Sequence, residues 1–134
     1  MIIRQSIDSD FNDINKILEE CFDNAKKVDN YKDDDHIELV CFYDNKVVGY
    51  LVITKVLDIL DKKIFLLVDK VCVLEQYRRL KIASRLMDEV EKIALSLNAK
   101  YIQLTSNNKR VGAIQLYKNK KYEIVDTNLF RRYL

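Results

Sequence analysis

Apolar residues recur along the chain in two rhythms, and each rhythm predicts a kind of element. Ile2 to Ile7 reads as a short strand. The cluster Asp8-Ser9-Asp10 then caps a helix in which Phe11, Ile14, Ile17, Leu18, Cys21 and Phe22 fall at helical spacing. From Asp23 to Asp35 the periodicity fades and charge rises, which predicts a loop with room for a second short helix. The densest acidic run, Asp33-Asp34-Asp35, is expected as a solvated face, with an acidic lip for a cationic amine as the functional alternative. His36 to Tyr43 alternates, Asp44-Asn45 supplies a turn, and Lys46 to Thr54 continues as strand, so a hairpin is expected. A further turn at Asp58 to Lys63 leads into Ile64 to Val73, the third strand of an antiparallel meander. Gly49, mid-strand, marks a bulge or a close approach of another backbone.

The most informative stretch is Val71 to Ala94, where a strand passes through one tight bend into a long amphipathic helix. Ile82, Leu86, Val90, Ile93 and Leu97 predict that helix from about Leu80 to Leu97, with Asn98 as a left-handed cap. Tyr101 to Thr105 is then a strand, and because strand, helix and strand form a crossover unit it is expected parallel to Ile64 to Val73. A short helix from Arg110 to Asn119 follows, and Tyr122 to Val125 and Leu129 to Tyr133 are expected as a closing strand pair around Asp126-Thr127. The sum is an α/β fold in one domain: a mixed, mostly antiparallel sheet of about six to seven strands with helices on both faces.

Composition narrows the function classes. With 134 residues, 49% hydrophobic and 33% charged, the chain has the balance of a soluble globular domain rather than a disordered or membrane segment. A net charge of +2, with 23 basic side chains dispersed among 21 acids, argues against a nucleic-acid partner. There is no run of 18 apolar residues, and Arg4, Asp8 and Asp10 interrupt any signal-peptide pattern, so a cytoplasmic location without a membrane partner is expected. Three widely spaced cysteines, Cys21, Cys41 and Cys72, fit neither a disulfide framework nor a zinc site and are expected as buried free thiols. His36 is the only histidine, which excludes a histidine-based triad.

Arg78, Arg79, Lys81 and Arg85 cluster at the bend, where the first amides of the following helix have no internal partners and the helix dipole is positive. That is an anion site suited to a phosphate-bearing ligand, with an exposed helix start as the plainer reading. The order strand, bend, helix resembles the acyl-CoA signature of the GNAT superfamily of N-acetyltransferases. Arg78-Arg79-Leu80-Lys81-Ile82-Ala83 is similar to the family's Q/R-x-x-G-x-G/A: Arg78 and Ala83 match, and Lys81 replaces the first glycine. The flanks strengthen the likeness, since Val71 and Val73 match the family's apolar strand and Tyr77-Arg78 its Tyr-Arg pair. In Ser106 to Tyr122 the residues Arg110, Ala113 and Tyr117 match a later family helix in register, while Lys121 and Tyr122 stand where the family has Gly-Phe.

The resemblance implies a GNAT-like fold and acetyl-CoA as cofactor, leaving as CoA. It places the phosphates on the amides of the bend, through Arg78, Arg79, Leu80, Lys81, Ile82, Ala83 and Ser84. It lays the pantetheine arm along Val71, Cys72 and Val73, where the strands Ile64 to Val73 and Tyr101 to Thr105 splay apart. Asn107 and Arg110 are expected to reach the cofactor, and Tyr117 to supply the acid for the leaving thiolate. Asp69 is the expected base, Glu38 its reserve, and Val71 an oxyanion donor. Lys81 is expected with ordinary helical φ and its side chain outward. Cys72 as an acyl-accepting nucleophile is disfavoured, because no histidine or depressed thiol is evident beside it. The implied activity is acetyl transfer to a primary amine of a small molecule or peptide in a ternary complex, by a monomer or homodimer. A non-catalytic acyl-CoA-sensing or protein-interaction module is the alternative.

Overall fold

The computed structural model describes residues 1–23, 28 and 33–134. Most of the loop expected between Asp23 and Asp35, with its possible second helix, lies outside the described residues. Strand β1 (Ile2–Gln5) is followed by a single 3-10 turn at Asp8–Asp10 and by helix α1 (Phe11–Cys21). The expected cap does not form in that way: Asp10 is the N-cap of α1 but makes no side-chain cap bond to it, and its carboxylate instead closes the 3-10 turn, accepting the Ile7 N–H at 2.8 Å while gripped by Arg4 at 2.6 and 3.0 Å. Asp10 is buried, so this pair fixes how the chain leaves β1 and enters α1.

Strands β2 (His36–Tyr43) and β3 (Lys46–Asp58) form a hairpin in which Asp44 and Asn45 both take positive φ, 57° and 62°. Two left-handed central residues are what a two-residue hairpin turn demands, and Asp and Asn tolerate them best among non-glycine residues. β3 runs four residues beyond the expected Thr54, and β4 (Lys63–Val73) returns antiparallel to it. Lys100 ties down the tip of this second hairpin, bonding Asp58 at 2.6 Å and Asp61 at 3.0 Å.

After a short 3-10 turn comes helix α2 (Ile82–Ser96), which ends at Asn98 with φ 53°, the left-handed stop that the sequence led one to expect. β5 (Ile102–Leu104) lies parallel to β4, and α3 (Val111–Asn119) completes the regular structure. The sheet order is β1-β2-β3-β4-β5.

The alternation within the strands sorts their side chains onto two faces. On one face Val40, Tyr50 and Cys72 pack with Phe11, Ile14, Ile17 and Leu18 of α1. On the other, Leu39, Leu51, Ile53, Leu66 and Val68 pack with Ile82, Leu86, Met87, Val90 and Ala94 of α2. The mixed sheet with helices on both faces is as expected, but it has five strands rather than six or seven. The missing two are the closing pair, since residues 123–134 form no strand. Tyr122 is pinned to α3, its N–H on the Tyr117 carbonyl at 3.0 Å, and among the described residues the backbone beyond it makes no backbone hydrogen bond. Alternating apolar residues make a segment able to pair; whether it does depends on the edge it meets, which is a tertiary matter. Among the described residues no helix is long and apolar enough to cross a membrane.

Candidate active site

The site begins with an irregularity in β4. Tyr50 pairs with Cys72 and Val52 with Asp69, so Lys70 and Val71 together oppose Leu51, and Lys70 takes φ 56°. This is a β-bulge, which bends its strand and re-aims the residues beyond it. β4 and β5 pair only at Leu66–Ile102, Leu67–Gln103 and Val68–Leu104, yet β4 continues to Val73. Past Val68 the two strands therefore part company. A cavity of about 1040 Å³ opens beside Val71, Cys72 and Val73, just above the range of roughly 300–1,000 Å³ usual for small-molecule sites.

The start of α2 forms the second wall. Its first helical bond runs from the Arg85 N–H to the Lys81 carbonyl at 3.0 Å, so the amides of Ile82, Ala83 and Ser84 precede the intrahelical ladder. No side chain caps them, no acid stands in the first turn, and all three residues line the cavity together with Arg78, Arg79 and Lys81. Lys81 does not have the helical φ expected of it: it is the N-cap at φ 60°, ψ 28°, and Arg79 stands at φ 71°. The bend needs the left-handed backbone for which a glycine is suited, and two long cations supply it at a cost of roughly 1–2 kcal/mol per residue. Leu80 between them is turned outward, 44% exposed, and is the one residue of the expected phosphate-binding run that does not line the cavity.

The third wall is α3 with the loop before it, including Asn107 and Arg110. Arg110 reaches back to β4, its Nη2 donating to the Val71 carbonyl at 3.4 Å, and Arg78 Nε donates to the Val73 carbonyl at 3.2 Å. Two cations thus hold the strand that borders the cavity. Tyr117 is the only buried residue of α3 and lines the same space. Burial pushes its phenol above the ordinary value of 10.0, against the pull of Arg110, so it is a protonated donor across the neutral range.

The two carboxylates lie elsewhere. Glu38, Val52 and Asp69 occupy one register row across β2, β3 and β4. Neither acid lines the cavity. Glu38 accepts the Tyr50 hydroxyl at 2.5 Å, and burial followed by that bond raises the Tyr50 phenol strongly. The Asp69 side chain is 63% exposed and is held locally by the Lys70 N–H at 2.7 Å.

Sequence reasoning missed Cys21 and Phe22, which bring the end of α1 into the cavity. Cys21 is only partly buried, its Sγ donates to the Val73 carbonyl at 3.7 Å, and its thiol is lowered, chiefly by its pairing with Cys72 and then by the Arg78 cation. Cys72 is raised by the same pairing and by burial. All three cysteines are free, and among the described residues no cluster suited to a metal ion occurs. Nothing in the spacing of Cys21 signalled its place, because the juxtaposition joins α1 to β4.

The model of the acetyltransferase (GNAT) family matches residues 5–121. The chain belongs to that family. Like other members of the GNAT family it shares its fold with several solved structures at low identity. A ribosomal-protein-alanine N-acetyltransferase from Brucella melitensis biovar Abortus 2308 superposes with TM-score 0.84 at 17% identity, covering 98% of each chain. An aminoglycoside acetyltransferase from an uncultured soil metagenomic sample gives 0.85 at 14%, covering 99% of this chain and 95% of that one. A transcriptional regulator from Bacillus halodurans C-125 gives 0.85 at 17%, with 98% and 99% covered. Curated proteins offer no match. For a GNAT fold, the splay between β4 and β5 and the bare start of α2 are the features to which a function must be tied.

Proposed function

We propose that this chain transfers an acetyl group from acetyl-CoA to a primary amine by direct attack, with both substrates bound at once. The observation that carries this reading is the gap beyond Val68, bordered by the Val71–Val73 strand on one side and the unladdered amides of Ile82 to Ser84 on the other. Acetyl-CoA supplies an activated thioester, an amide-bearing arm and a diphosphate. The residues fit such a guest. Strand backbone suits the arm; successive amides at a positive helix end suit the diphosphate, with Arg78, Arg79 and Lys81 adding charge.

The chemistry rests on what the side chains can do. Tyr117 donates a proton to the departing thiolate, and the Val71 amide supports the negative charge that develops on the carbonyl oxygen. An alkyl ammonium, with a pKa of roughly 10, must lose a proton before it attacks. Asp69 takes that proton through water, being exposed and engaged only locally, and Glu38, already holding Tyr50, stands in reserve. The acceptor is a small-molecule or peptide amine; the names of two fold neighbours, one acting on a ribosomal-protein alanine and one on an aminoglycoside, support both kinds. Acetyl-CoA and such amines place the work in the cytoplasm.

The test is release of free CoA thiol with a panel of amines. Turnover with at least one amine is expected, and Tyr117→Phe is expected to lower kcat by about 100-fold while CoA affinity stays within about twofold. Micromolar CoA binding without turnover on any amine would overturn catalysis and leave an acyl-CoA-sensing module, the reading that fold kinship with a transcriptional regulator also supports.

A further inference from the structure

Two thiols that the acetyl-transfer chemistry does not use meet at the cavity. Cys21, the last residue of α1, and Cys72, in β4, are far apart in the chain yet line the same space. They also share one packing cluster, in which Cys72 is buried and Cys21 lies only partly buried against it. The third thiol, Cys41, is fully buried in the other cluster, on the α2 side of the sheet.

A single carbonyl gathers the reactive groups. That of Val73 accepts from Cys21 Sγ at 3.7 Å and from Arg78 Nε at 3.2 Å, so a fixed guanidinium stands beside the Cys21 sulfur. A sulfur next to a cation and open to a cavity is the setting of a reactive cysteine. Cys72 has the opposite setting, buried and with its thiol raised by its pairing with Cys21 and by burial, which suits it to react second. α1 ends at Cys21 and the chain turns extended at Phe22, so this sulfur sits at the margin of the helix rather than within it.

We propose that Cys21 and Cys72 are a redox pair that hydrogen peroxide converts into a reversible disulfide. The Cys21 sulfur attacks one peroxide oxygen: an S–O bond forms, the O–O bond breaks, and the other oxygen leaves as water with the thiol proton, so Cys21 becomes a sulfenic acid. The Cys72 sulfur then attacks that of Cys21: the S–S bond forms, the S–O bond breaks, and the oxygen leaves as water with the Cys72 proton. Two thiols lose two electrons, and one peroxide is reduced to two waters. A dithiol reductant returns both electrons. The link fastens the end of α1 to the strand that borders the cavity, drawing two of its walls together. With CoA as the guest, a reading on which this consequence rests, the oxidised form binds it more weakly.

The test exposes the reduced, folded protein to hydrogen peroxide, then unfolds it, alkylates the remaining thiols and maps the peptides by mass spectrometry. A Cys21–Cys72 disulfide is expected, formed at least about tenfold faster than any oxidation of Cys41 and reversed by dithiothreitol. Cys72→Ser is expected to stop at the sulfenic acid of Cys21, captured by dimedone, and Cys21→Ser to leave Cys72 unoxidised. If either variant does not fold, the map of the unaltered protein decides alone. Cys21 carried on to sulfinic acid with Cys72 still free would overturn the pair. So would a disulfide between two chains, oxidation of Cys41 as fast as that of Cys21, or three thiols left unoxidised. Calorimetric titration is expected to show CoA bound at least about tenfold more weakly by the disulfide form, and equal affinities would overturn the closure. A reduced protein that binds no CoA would sink the acetyltransferase reading instead, while the peptide map still decides the redox pair.

Discussion

Single residues carry the main departures from expectation. Lys81 is a lysine where the backbone is left-handed, and a sequence shows the side chain but not φ; the only signal was that the family has glycine there. Lys121, at φ 72°, repeats the pattern. Relieving the Cβ strain at Lys81 outweighs the extra freedom glycine adds to the unfolded chain. Lys81→Gly is therefore expected to stabilise the protein by about 0.5–1 kcal/mol and to raise its melting temperature by about 2–4 °C. A calorimetric scan showing no gain would mean that the bend bears no strain. Cys21 gives a second expectation. Its proton affinity is lowered below the ordinary thiol value of 9.0, whereas Cys41 and Cys72 are both raised above it. Iodoacetamide labelling, followed by peptide mass spectrometry, should modify Cys21 first and at lower pH than the other two. CoA should slow it by filling the cavity. Equal labelling of the three thiols at pH 7 would contradict the thiol pairing.

Elements were legible where a periodic pattern coincided with a local stop. The β2–β3 hairpin follows from Asp44-Asn45, and α2 from its apolar stripe and Asn98. The bulge at Lys70–Val71 was not legible, since it is a mismatch between two strands that neither shows alone. Gly49 was expected at a bulge or at a close backbone approach, and it flanks a bulge, since Cys41 pairs with Gly49 but Phe42 with Val47; the close contacts there are side chains, a Cβ built on it standing 2.7 Å from Ile82 Cγ2, 3.2 Å from Leu86 Cδ1 and 3.3 Å from Cys41 Cβ. Glycine thus lets the first turn of α2 settle onto β3, which is what aims the free amides at the cavity. Gly49→Ala is expected to cost about 1–3 kcal/mol by overpacking, read from urea denaturation, and to weaken CoA binding along with it. Gly112→Ala meets no atom within 4 Å and is expected to be neutral or to stabilise by up to about 1 kcal/mol. Equal losses at both glycines would remove the special role of Gly49.

At the scale of the whole molecule, topology through β5 was readable because strand, long helix and strand can connect in essentially one way. The tail was misread because its alternation promises a strand without saying which edge receives it. The lining of the cavity was readable at the bend of residues 78–84, where sequence neighbours do the work, and less so where α1 meets β4, where contacts span the fold. The central claim is that a diphosphate sits on the start of α2 while its arm follows β4, and at 134 residues the chain suits a residue-by-residue test. Titrating CoA into the isotope-labelled protein and following amide nuclear magnetic resonances is that test. The largest shifts are expected at residues 79–84, with a second group at 71–73 and 107–113. Saturating shifts elsewhere, or none at millimolar CoA, would contradict it.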